Sequence, residues 1–210
     1  MSLPIAPFMK DAPDKILVAT RNAGKIREIS TTLQGVSIEW LSLSSFPELP
    51  EVLEDGETFE ENALKKARVM ALATGIAALA DDSGLCVDAL NGRPGVLSAR
   101  YAGAGASDEE KCSRILREMK DIPDASRTAR FICVLALVDP VGEEKLFKGV
   151  CEGRIVREMR GSAGFGYDPI FYHPESDRTF AEMDRDAKNR VSHRGEALRE
   201  FRNYLIKLSG

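Results

Sequence analysis

The sequence predicts an α/β fold with a central mixed sheet flanked by helices, and three observations carry that prediction. Short apolar or β-branched runs alternate along the chain with stretches whose apolar residues recur at helical spacing, so strands and helices intermix. The run ARFICVLALVD, residues 129–139, is apolar on both alternating faces, as a central strand covered on each side must be. A chain of 210 residues, 43% hydrophobic and 30% charged, can bury a full core in one domain or in two closely joined lobes.

Residues 15–20, KILVAT, read as a strand that meets the polar turn RNAGK, and Ile26, Ile29 and Leu33 then fall on one face of a helix. SIEWLSLSSF, residues 37–46, reads as a second strand, followed by a Pro-rich acidic connection over residues 47–57. Thr58 and Glu61 form a capping box, with Phe59, Ala63, Ala67, Met70 and Ala71 as the buried face of a helix of about four turns that Gly75 stops. IAALA, residues 76–80, is a short strand that delivers Asp81 and Asp82 at its carboxyl end, just before a Ser-Gly turn.

The stretch LNGRPGVLSARYAGAGAS, residues 90–107, is a long loop, and long ordered loops tend to be functional. Ser107 and Glu110 cap a further helix that ends before Pro123. After the central strand, EKLFKGVCEGRIV alternates less cleanly and suits a strand near an edge. A Gly- and aromatic-rich passage, residues 160–176, precedes a short helix after Thr179, with Glu182 at the capping-box position. Ser192 then caps a last helix with Leu198, Phe201, Leu205 and Leu208 on one stripe. Residues 1–14 read as an N-terminal extension, disordered or left over from cloning, and residues 15–210 as one domain.

Composition narrows the partners. A formal net charge of −4 gives no global basic field, which argues against stable nucleic-acid binding and for a small partner. Cys86, Cys112, Cys133 and Cys151 are scattered without a C-x-x-C pair, as in a reduced cytosolic protein without structural zinc. ARVMALATGIAALA, broken by Thr74 and Gly75, falls short of the roughly 20 apolar residues of a membrane span.

Three constellations carry chemistry. In ATRNAGK, backbone N–H groups at a helix start and the charge of Lys25 can hold phosphate. The loop is not a Walker A motif, since Ala19 and Ile26 occupy its first-glycine and Ser/Thr positions; as an ordinary polar turn the same residues need no ligand. Burying an unpaired carboxylate costs several kcal/mol, so Asp81 and Asp82 either cap a turn in water or face a cation. At a strand end, two carboxylates can hold a hard divalent ion, with Glu51, Glu54, Asp55 and Glu57 upstream offering a further ligand. In GFGYDP, Phe165 or Tyr167 can lie against a base and Asp168 can accept from ring N–H groups, or the loop can simply pack on the core. Lys188, His193 and Arg194 add donors, two of them in a helix first turn where cations oppose the macrodipole. Such local conflict points to function.

The segments TRNAGK, GETFEENALKKA, ADDSGL, GRPGVLSARYAG, GFGYDPIF and SHRGEAL resemble, in order and spacing, the inosine/xanthosine triphosphate pyrophosphatases, the HAM1-like family. The resemblance runs from about Lys15 to about Leu208. It implies a magnesium-dependent, cytoplasmic hydrolase, usually a homodimer, that converts ITP, dITP or XTP to the monophosphate and pyrophosphate. The implied architecture is elongated and two-lobed, with the nucleotide in the cleft between lobes. Carried over by motif, Thr20, Arg21, Asn22, Ala23, Gly24 and Lys25 bind the triphosphate, Asp82 holds magnesium and accepts a proton, and Ser83 contacts substrate. Phe165, Gly166, Tyr167, Asp168, Lys188, His193 and Arg194 surround the base and neighbouring phosphate. The family often carries an acidic pair before its Gly-x-Thr-Phe; here Leu53-Glu54 stands in that place and leaves Glu54 as the second metal contact. Competing readings are a nucleotide-binding regulator without turnover and a pyrophosphatase for other nucleotides, such as the pyrimidines handled by Maf-like proteins.

Overall fold

A computed structural model describes residues 11–209, so residues 1–10 of the expected extension lie outside the described residues. The elements run β1 (Lys15–Val18), α1 (Ala23–Thr32), β2 (Glu39–Ser42), α2 (Phe59–Thr74), β3 (Ala77–Val87) and α3 (Asp108–Glu118). They continue with β4 (Thr128–Val138), β5 (Glu144–Ile155), β6 (Phe171–His173), β7 (Arg178–Thr179), α4 (Arg185–Val191) and α5 (His193–Leu208). The strands form a seven-stranded sheet in the order β2-β1-β3-β4-β5-β6-β7. It is mixed, as expected: β1 pairs in parallel with β2 and β3, whereas β6 pairs antiparallel with β5 and β7. No helix among the described residues is long and apolar enough to cross a membrane.

The chain divides into two compact units. The first comprises the described residues up to Asp81, Val134–Phe147 and those from Leu198 onward. Its core holds Ile16, Leu17, Ala63, Ala67, Leu79, Leu135 and Leu205, all fully buried or nearly so, with the Phe201 ring edge-on to both Trp40 and Phe147. The second comprises Asp82–Cys133 and Lys148–Ala197. It buries Leu85, Val87, Ile115, Met119, Phe131, Phe171 and Phe180 in one cluster. At roughly 1.5–3 kcal/mol for each large apolar side chain removed from water, either set supplies a substantial driving force.

Sequence signals place most boundaries. All three expected capping boxes form, Thr58 with Glu61 at α2, Ser107 with Glu110 at α3 and Thr179 with Glu182, and Gly75 ends α2 in the left-handed region at φ 65°. The last box opens only a 3-10 turn at Phe180–Glu182, not the short helix expected after Thr179. Ser192 Oγ accepts from Gly195 N at 3.1 Å and so caps α5. Leu198, Phe201 and Leu205 of its stripe are fully buried, while Leu208 is only partly so.

Four further expectations need correction. Ile26 is 38% exposed; α1 instead buries Gly24, Glu28 and Ile29, with Leu33 closing the face. The second strand is shorter than residues 37–46, because the Ser42 hydroxyl caps a 3-10 turn at Leu43–Ser45. β3 does not stop at Ala80 but continues through Asp81, Asp82, Ser83 and Gly84 to Val87, since Leu85 and Val87 are fully buried and hold the strand in the core beyond four weak strand formers. β5 is not near an edge but fifth of seven, between β4 and β6. Its inward positions from Phe147 alternate strictly, but two of them, Gly149 and Gly153, carry no hydrophobic signal. A Cβ at Gly153 would lie 2.5 Å from the Phe171 ring, so a neighbour fills the space that a side chain would have marked in the sequence. Asp184 caps α4 through Ala187 N at 2.7 Å.

Candidate active site

In the first unit the site begins where β1 ends. Thr20 Oγ1 accepts from Asn22 N at 3.2 Å, and Asn22 Oδ1 accepts from Lys25 N at 3.1 Å, so two side chains shape the turn and cap α1. Arg21, Asn22 and Ala23 are exposed and Gly24 is buried. The first-turn amides of α1 point out of its N-terminus, the usual geometry for an anion. Lys25 sits at the third helical position, where a cation opposes the dipole, and its ammonium is met by the Asp81 carboxylate, whose side chain is 1% exposed. Lys25 also reaches the Asp81 carbonyl at 3.3 Å. A second lysine, Lys66 of α2, donates to that same carbonyl at 2.7 Å and to Glu54 Oε1 at 2.8 Å.

This geometry revises the view of the aspartate pair. The Asp81 carboxylate meets the Lys25 ammonium, so one of the two adjacent carboxylates has a positive partner within the protein itself. Asp82 is 5% exposed and begins the second unit. Among the described residues no cluster of three or more His, Cys, Asp or Glu side chains is assembled that could by itself hold a metal.

In the second unit, Ser83 Oγ accepts from Arg194 Nη2 at 2.6 Å. Arg194 and His193 open α5 and are buried, at 2% and 4% exposure. Gly149 of β5 allows that turn to approach, since a Cβ there would stand 2.0 Å from the His193 carbonyl oxygen, and Glu196 Oε2 accepts from Val150 N at 2.8 Å. The His193 ring stacks on Phe131, with centroids 4.6 Å apart and planes 9° apart.

The GFGYDP loop divides its aromatic residues. Tyr167 belongs to the core: it is 4% exposed, its hydroxyl donates to Ser98 O at 2.8 Å, and burial pushes its phenol well above the usual range. That removes it as a base-stacking surface. Phe165 is half-buried, with Lys188 Nζ 4.6 Å and Arg194 Cζ 5.7 Å from its ring centroid. Asp168 Oδ2 accepts from Phe165 N at 2.9 Å and from Lys188 Nζ at 2.5 Å, so the carboxylate fixes both loop and lysine. Gly164, at φ +78°, is required here because a Cβ would fall 2.0 Å from Asp168 Oδ2.

A model of the Ham1 family matches residues 16–204. The chain belongs to the Ham1 family. A dITP/XTP pyrophosphatase of Geobacter sulfurreducens is 53% identical over 191 residues, covering 91% of this chain and 96% of that one. One from Bacillus cereus is 48% identical over 189 residues, covering 89% and 92%. Among solved structures, a HAM1 protein from Coxiella burnetii superposes with a TM-score of 0.86 at 44% identity, covering 92% of this chain and 98% of that one. The Staphylococcus aureus Ham1 protein gives 0.84 at 39% over the same shares. The α/β fold expected from the sequence is therefore that of the Ham1 family.

Sequence reasoning missed Lys66 and Asn62. Both lie on the buried stripe of α2, where Asn62 Oδ1 accepts from Gly56 N at 2.8 Å and so holds the loop that carries Glu54. Their signal was available: polar residues at positions whose neighbours Phe59, Ala63 and Met70 face the core.

Proposed function

We propose that this chain hydrolyses non-canonical purine nucleoside triphosphates, dITP, ITP and XTP, to the nucleoside monophosphate and pyrophosphate, and so clears them from the nucleotide pool. The name shared by its relatives supports the reaction, and the single geometric observation that carries it is the half-buried Phe165 ring with two cationic side chains against it.

The chemistry follows from the residues. The amides opening α1 and the Lys25 ammonium bind the triphosphate and stabilise charge that grows on the leaving pyrophosphate. Asp82 accepts the proton of the attacking water as the new P–O bond forms at the α-phosphorus and the bond to the α–β bridging oxygen breaks. Asp82 and Glu54 are the oxygen donors that would hold magnesium, which takes one or two protein carboxylates and completes its shell with water and phosphate. Magnesium would neutralise phosphate charge when bound. Lys66 holds Glu54 through its ammonium.

Selectivity resides at the base. Hypoxanthine and xanthine present a carbonyl at position 6 where adenine presents an amino group, so the donors Lys188, His193 and Arg194 satisfy the former and leave a mismatched contact with ATP. A site built on such hydrogen bonds discriminates by up to roughly 10⁴–10⁵. We further propose, from the family resemblance, that residues 15–210 act as one catalytic domain, in a homodimer, in the cytoplasm. The net charge of −4 supports a substrate that is a free nucleotide rather than nucleic acid.

The test is pyrophosphate release with magnesium across a panel of triphosphates. dITP and XTP are expected to turn over at least about a hundredfold faster than ATP, and Asp82→Asn to lower kcat about a thousandfold with the circular dichroism spectrum retained. Equal rates on dITP, XTP and ATP would overturn the proposal.

A further inference from the structure

The loop that presents Phe165 is fixed from a second side by a helix that contains none of the motif residues. Gly166 follows Phe165 directly and lies at φ +63°. Its N–H donates to Asp108 Oδ2 at 2.6 Å, and its carbonyl accepts from the Cys112 thiol at 3.4 Å. Asp108 and Cys112 are one helical turn apart at the start of α3, so a single helix face grips both polar groups of one loop residue. Asp108 is itself held by Lys111, whose Nζ stands 2.6 Å from Oδ1, and the Ser107–Glu110 capping box fixes where the helix starts. On the other side of Phe165, Asp168 holds the Phe165 N–H.

We infer that Asp108 is a positioning residue for substrate selection, setting the placement of Phe165 by anchoring the Gly166 amide. The inference rests on the proposed function, in which Phe165 lies against the base. Partial burial pushes the Asp108 carboxyl up, but Lys111 and the Gly166 N–H more than offset this and leave it below the usual carboxylate range, so it is ionised and a strong acceptor at neutral pH. The side chain remains about half exposed, which limits the bond to a few-fold effect on binding rather than the full value of a buried one.

Three variants separate anchoring from helix stability. Asp108→Ala should raise KM for dITP about fivefold with kcat within about twofold of wild type. Asp108→Asn, which retains an oxygen acceptor, should bring KM back to within about twofold. Glu109→Ala removes a neighbouring first-turn carboxylate and its favourable dipole interaction but no loop contact, and should leave KM unchanged. A KM in Asp108→Ala equal to that of Glu109→Ala would reduce Asp108 to a helix-stabilising role and overturn the inference. Hydrogen exchange at the Gly166 amide decides the anchor independently of catalysis. It should quicken about fivefold in Asp108→Ala and not in Glu109→Ala, and an unchanged rate refutes the anchor. Failure of the wild type to hydrolyse either dITP or XTP would instead remove the proposed function, with the exchange measurement still deciding the anchor.

Discussion

The Lys25 turn of the first unit and the Phe165 loop of the second, proposed above to meet phosphate and base, hold their cationic side chains by different means. Around Lys25 the work is done by regular elements: a strand end, a capped helix and a carboxylate on the adjacent strand that balances the ammonium. Around Phe165 it is done by an irregular loop with Gly164 and Gly166 in the left-handed region, fixed by side chains from α3, α4 and the loop itself. The first arrangement follows from local rules of helix and strand. The second exists only once distant segments have packed, so it should be the more sensitive to small changes in shape.

Two glycine substitutions test that sensitivity, and the larger effect belongs to the loop. Gly164→Ala meets a left-handed backbone and a Cβ position 2.0 Å from Asp168 Oδ2. A loss of about 3 kcal/mol is expected, roughly 10 °C in Tm for a chain of this size, together with a higher KM for dITP. Gly75→Ala, also left-handed but with nothing within 4 Å of the new Cβ, should cost about 1 kcal/mol, roughly 3 °C, and leave KM alone. Thermal melts and steady-state kinetics on the pair check this; equal losses of stability would mean that the loop is no more tightly determined than a helix end.

A smaller effect distinguishes the loop's acid response. Because the folded Asp108 carboxyl lies below its unfolded value of about 3.9, its contribution to stability is fully present above that pH and is lost as pH falls through the folded value. Between about pH 5 and pH 3, wild type should lose stability more steeply than Asp108→Asn in urea unfolding, with the two curves converging at the acid end. Parallel curves would show that Lys111 and Gly166 place no demand on the charge.

How much of each region the sequence reveals follows from the same contrast. TRNAGK, the α2 capping box and Gly75 are local signals, and each forms as read. The extent of β3 was hidden because Asp81, Asp82, Ser83 and Gly84 are weak strand formers, held extended by core residues on either side. The interior place of β5 was hidden because Gly149 and Gly153 stand at inward positions whose volume is filled by the α5 turn and by Phe171. The partition of the GFGYDP aromatics, with Tyr167 in the core and Phe165 half-buried, depends on Ser98, Asp108 and Lys188, none of them near the loop in the chain. No period or spacing could encode those contacts.

The central claim is that the two regions divide the task, one gripping phosphate whatever the base and the other choosing the base. It is tested most directly by kcat/KM for dITP and dATP on Lys25→Met and Lys188→Met, each shown by circular dichroism to be folded. The account predicts that Lys25→Met lowers both substrates by roughly a hundredfold or more and keeps their ratio within about threefold. Lys188→Met should collapse the dITP preference by roughly a hundredfold. A Lys188→Met enzyme that is slower yet retains its preference, or a Lys25→Met enzyme that loses it, would contradict the account.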